Sequence, residues 1–90
     1  MILYGIRNIQ TKKPLRISIF SNEGGEFCNA AGARFETTDF SDVVYMVTDF
    51  KMAQKALKEN PRWYNASIER PEWPRVFSPA DYEIFDVRIS

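Results

Sequence analysis

The sequence predicts an α+β fold: a mostly antiparallel sheet in the order β-β-β-β-α-β, with one amphipathic helix packed on one face. Two patterns carry this reading. Residues 2–9, 15–20 and 82–89 alternate apolar with polar side chains at the period of two that a half-buried strand requires. Residues 50–59 instead repeat at the helical period, between Asp49 and the pair Asn60-Pro61. Ninety residues without an internal repeat or a low-complexity linker make a single α+β domain spanning 1–90.

In the first run Ile2, Tyr4 and Ile6 share one face, and Leu3, Gly5 and Arg7 the other. A polar turn, Gln10-Thr11-Lys12-Lys13, leads to Pro14, which suits the opening of a strand because no ladder donor is needed there. Leu15, Ile17 and Ile19 then alternate with Arg16, Ser18 and Phe20, so the two runs read as an antiparallel hairpin. Ser21-Asn22-Glu23-Gly24-Gly25 is turn chemistry. From Glu26 to Thr38 a strand interrupted near Asn29–Gly32, with Gly32 at a bulge or bend, competes with a short helical turn through Phe27–Ala31, and the strand is the preferred expectation.

Val43-Val44-Tyr45-Met46-Val47 is β-branched and apolar on both faces, as in a central strand covered on both sides. Thr48 or Asp49 can cap the helix that follows. On a helical wheel Met52, Ala56, Ala53, Leu57 and Phe50 form one arc, and Lys51, Gln54, Lys55, Lys58 and Glu59 the other. Asn60 suits the C-terminal cap, and Pro61 stops propagation. Arg62 to Ala80 carries Pro71, Pro74 and Pro79 among its aromatics and reads as irregular. The last alternating run, Tyr82 to Ile89, closes the sheet.

Several function classes drop out on composition. The formal net charge is zero, unlike that of a protein that coats nucleic acid. With no histidine, Ser-His-Asp and Cys-His arrangements are impossible, and a lone Cys28 supplies neither a disulfide framework nor a Cys-rich zinc site. Cys28 reads as an inert core cysteine. Gly24-Gly25 lacks the Lys-Ser/Thr of a phosphate loop. The carboxylate pairs Glu23/Glu26, Asp39/Asp42 and Asp81/Glu83 fall where solvated acidic residues are ordinary. The expectation is therefore a non-enzymatic protein with no cofactor. Met1-Ile2-Leu3-Tyr4 has no basic flank and no run approaches the ~20 apolar residues of a membrane span, so a cytoplasmic protein without a signal peptide or membrane attachment is expected.

What remains distinctive is the segment after the helix. Arg62, Trp63, Tyr64, Arg70, Trp73 and Arg75 are of the types that dominate protein interface hot spots, and the same types stack on unpaired bases. The blander reading places Trp63, Tyr64 and Phe77 over the open end of the core, with Arg70, Trp73 and Arg75 outside. Lys51, Lys55 and Lys58 line the outer helix face at i, i+4 and i+7, either as a basic face for phosphates or an acidic partner, or as a solvated surface. A protein partner is the expectation, nucleic acid the alternative. Self-association through an edge strand would account for exposed apolar residues such as Phe20.

Three segments carry a family resemblance. Tyr4-Gly5-Ile6-Arg7-Asn8, Glu26-Phe27-Cys28-Asn29 and Trp63-Tyr64-Asn65 together resemble a family of short accessory proteins of T4-like tailed bacteriophages. The resemblance spans nearly the whole chain and brings no catalytic residues with it. It implies a viral protein in the host cytoplasm that binds and inhibits a host protein, such as a toxin, a nuclease or a CRISPR component. That is an anti-defence role.

Overall fold

The computed structural model describes residues 1–21, 31–37, 43–60, 63–64, 68–69 and 77–89. They form an α+β fold with strands β1 (Ile2–Asn8), β2 (Arg16–Ser21) and β3 (Ala31–Glu36), helix α1 (Phe50–Glu59), and strands β4 (Trp63–Tyr64), β5 (Ile68–Glu69) and β6 (Tyr82–Arg88). A 3-10 turn, Pro79–Asp81, leads into β6. β1 and β6 make an antiparallel ribbon, and β2-β3-β4-β5 make an antiparallel sheet.

The alternation predicts an antiparallel hairpin of the first two strands, but only its turn closes, and β1 and β2 form no ladder with each other. Asn8 Oδ1 accepts from the N–H groups of Gln10 and Thr11, at 2.9 and 3.0 Å, which curls the turn. Lys12 completes it at φ 62°, and the Asn8 N–H donates to Lys13 O at 2.9 Å. Arg7 bridges Pro14, and Leu15 N–H donates to Ile6 O at 2.7 Å. Beyond that point β1 and β2 part: β1 pairs along its other edge with β6, and β2 with β3.

Residues 43–47 occupy the opening. Ile17 N–H donates to Val43 O and Tyr45 N–H to Leu15 O, while Tyr4 and Val47 exchange both backbone bonds. The sequence predicts an unbroken central strand here; the structure has isolated bridges, Arg16 with Val44 and Tyr4 with Val47, both antiparallel. The reason is geometric. β1 and β2 are themselves antiparallel at the turn, so a segment can be antiparallel to both only by bending between them, and a bent segment cannot sustain a ladder. Trp63–Tyr64 and Ile68–Glu69 differ in the opposite sense. Expected as irregular chain, they form a two-residue strand pair on the β3 edge.

The core lies where helix, ribbon and sheet meet. Ile6, Leu15, Phe35, Tyr45, Ala53, Ala56 and Phe77 are buried. Phe35 from the sheet meets Tyr45, Trp63 and Phe77 edge-on, at ring-centroid distances of 5.0, 5.1 and 5.7 Å. Tyr45 stacks on Trp63 at 5.9 Å, and Phe77 leans on Tyr82 of β6 at 4.8 Å. Pairs of this kind contribute about 0.5–1.5 kcal/mol each beyond area burial, so the cluster ties the sheet to the ribbon.

On the opposite face of the ribbon, Gly5 sits under Met46. A Cβ at Gly5 would lie 2.8 Å from Met46 Sδ and 2.8 Å from the Phe85 ring, so this face closes only over a glycine. Gly5→Ala is expected to cost about 1–3 kcal/mol through overpacking, read as a lower urea midpoint. Met46→Ala should then cost less in the Gly5→Ala chain than in the wild type.

Candidate protein-interaction surface

Helix α1 forms between two side-chain-specified ends. Asp49 is extended, and its carboxylate accepts from the Lys51 N–H at 3.0 Å. At the other end Asn60, buried and left-handed at φ 50°, donates its N–H to Ala56 O at 2.8 Å. Lys58 in the last turn is favourably placed against the helix dipole. The helix packs on both β1 and β6.

Its buried stripe is narrower than its apolar arc. Ala53 and Ala56 are buried and Leu57 is half-buried. Phe50 and Met52, about 160° apart on the wheel at about 100° per residue, flank the stripe and stay 44% and 51% exposed. The sequence places both on the core arc. Small alanines at the centre bring the helix axis close to the ribbon, and the larger flanking side chains are left over its rims. The width of the arc was the available signal. Phe50 is also held in place, its ring 5.3 Å from that of Tyr4 in an edge-on contact.

Lys51, Lys55 and Lys58 all lie exposed on the outward side of α1, as the wheel predicts. The first turn therefore offers two apolar side chains beside a lysine-bearing face. The aromatics after the helix divide differently. Trp63 is half-buried in the Phe35–Tyr45 cluster, and the Tyr64 backbone pairs with Gly32 and Ile68. Arg62, Arg70, Trp73 and Arg75 lie outside the described residues. Phe20's side chain, Cys28 and the Phe27–Cys28–Asn29 stretch also fall outside that description.

A charged network covers the outer face of the ribbon. Arg7 Nε donates to Glu83 Oε2 at 2.7 Å, Lys12 Nζ approaches the same oxygen at 3.3 Å, and the Arg7 guanidinium lies 5.3 Å from the Phe85 ring centre. Hydrogen bonds from Arg7 and then Lys12 hold the Glu83 carboxyl below the ordinary glutamate range.

Two shallow polar clefts flank Asn8. One, of about 280 Å³, is lined by Asn8, Ile9, Gln10, Ala80 and Asp81; the other, of about 260 Å³, reaches Thr11, Thr37 and Tyr82. The Asn8 carboxamide and the Thr11 hydroxyl already accept turn N–H groups. Among the described residues no group of three or more His, Cys, Asp or Glu side chains converges as a metal site would, and no helix is long and apolar enough to cross a membrane.

Comparison with protein-family models, with characterised proteins and with solved structures gives no match.

Two measurements test these assignments. Trp63→Ala should lower stability by about 3 kcal/mol, the scale of removing a large aromatic from a packed cluster, measured by chemical denaturation. Glu83 has a lowered folded-state pKa, so its pairing stabilises the fold above the unfolded carboxylate pKa and is lost as pH falls through the folded value. Glu83→Gln should therefore lose less stability than wild type between neutral and acid pH in thermal melts.

Proposed function

We propose that this chain is a non-enzymatic interaction protein that binds and inhibits a host protein, in the manner of the tailed-phage accessory proteins it resembles. The observation that carries this reading is the first turn of α1. Phe50 and Met52 are exposed there beside lysines, and the Phe50 ring rests edge-on against Tyr4. An aromatic anchor that already packs against a neighbour loses less entropy on binding than a fully solvated one. The matching partner surface is an apolar groove rimmed by carboxylates that face Lys51, Lys55 and Lys58. Arg70, Trp73 and Arg75 extend the proposed contact on sequence grounds.

The second reading, an RNA- or single-strand-binding module, takes the same lysines as phosphate contacts. The apolar flank counts against it, because Met52 supplies no stacking plane for a base.

The test is capture of host proteins by the wild type, by Phe50→Ala/Met52→Ala and by Trp73→Ala, followed by measured affinity for whatever the wild type retains. The double variant, with an unchanged circular dichroism spectrum, is expected to bind that partner at least tenfold more weakly, about 1.4 kcal/mol. Equal binding by both chains sinks the proposal. Retention of RNA with a steep salt dependence, abolished by Lys51→Glu/Lys58→Glu, would put the second reading in its place.

A further inference from the structure

Strand β6 is an edge. Among the described residues it pairs with β1 alone. The direction of its free groups follows from the bonds at its two ends. Asp81 O accepts from the Ile9 N–H, and Ile89 exchanges backbone bonds with Met1, so odd-numbered residues turn their N–H and C=O toward β1. Alternation points those of Ile84, Asp86 and Arg88 away from it. The same stretch leaves Val87 and Ile89 exposed, at 39% and 47%, on the outer face that Phe85 shares. A strand edge whose backbone groups have no strand partner among the described residues, beside exposed apolar side chains, is a template for a further strand.

The side chains select what that strand is. In a two-fold antiparallel pairing of β6 with itself, the even residues bond across the axis, and the registers compared run from an axis at Phe85, the middle of the strand, to one at Val87 near its C-terminal end. Centred on Asp86, the pairing opposes two carboxylates. Centred on Phe85, it sets Asp86 against Ile84 and Arg88 against Tyr82. Centred on Val87, it places Asp86 opposite Arg88 of the second copy, and Arg88 opposite Asp86 of the second copy. On the other face it sets Phe85 against Ile89, and Val87 against itself. That register alone forms two opposite-charge pairs on one face and a continuous apolar strip on the other, the cross-strand combination that favours pairing. The zero net charge of the chain adds no long-range repulsion.

We infer that β6 is a dimerisation edge, on which a second copy of this chain adds antiparallel about a two-fold axis at Val87 to make a continuous β1-β6-β6-β1 sheet. This goes beyond the host-binding reading and uses different residues, so either can fail without the other. The dimer would present two Phe50/Met52 surfaces from one assembly.

The test is sedimentation of the full chain across micromolar to submillimolar concentration, together with disulfide trapping. Wild type should reach twice the 10.5 kDa chain mass. Asp86→Arg should lower the association constant at least tenfold, and the charge swap Asp86→Arg/Arg88→Asp should restore it. A merely misfolded single variant would not be rescued in this way. In a Cys28→Ser background, Val87→Cys should form an interchain disulfide under mild oxidation, because directly opposed residues not bonded to each other lie about 4.5 Å apart at Cα. Ile9→Cys, away from the edge, should not. A wild type that stays monomeric throughout overturns the proposal, as does Val87→Cys trapping no faster than Ile9→Cys.

Discussion

Two antiparallel strands that leave one hairpin in different directions expose a row of backbone donors and acceptors between them. In this protein residues 43–47 satisfy that row. Val43 bonds to Ile17 of β2 and Tyr45 to Leu15 just before it, Val47 bonds to β1, and the chain bends between the two attachments. Unmet buried backbone groups are costly, so the opening can exist only if this segment fills it. Everything else takes its position from there: Tyr45 is delivered into the aromatic cluster, Met46 is laid over Gly5, and the chain is aimed into the cap of α1.

The aromatic cluster is the second consequence of the bend. Phe35 comes from the sheet, Tyr45 from the joint, Trp63 from β4 and Phe77 from the approach to β6. A chain this short has few other ways to hold two layers together, since its helix contributes mainly alanines to the interface. Trp63 therefore contributes first to stability. The binding proposal accordingly leans on the rims of the helix and on the arginine and tryptophan side chains further along.

The helix shows how close packing creates surface. Alanines at the buried centre lower the helix onto the ribbon, and that approach leaves Phe50 and Met52 beside the layer instead of inside it. Lys51, Lys55 and Lys58 lie between them on the outward side of the helix. On the far side of the ribbon, β6 combines a backbone row that has no strand partner among the described residues with alternating charge and apolar character. Edge strands commonly carry charge as a guard against pairing; here the order Asp86, Val87, Arg88 is self-complementary.

Local chemistry alone was enough to determine much of this. The α+β class, the polar turn at 10–13, the closing strand, and the helix with Asp49 and Asn60 at its ends all follow from periodicity and from side chains that bond within a few residues, whereas the hairpin expected of the first two runs closes only at its turn. The family resemblance and the host-binding role stand as proposals. Tertiary structure decided the rest, because it depends on partners distant in the chain. It paired β1 with β6, the two ends of the described chain. It bent Val43–Val47 into bridges, since only the divergence of β1 from β2 demands a bend. It also drew Trp63 into a core assembled from four separate segments, and left Phe50 outside a stripe whose width is set by the ribbon beneath it.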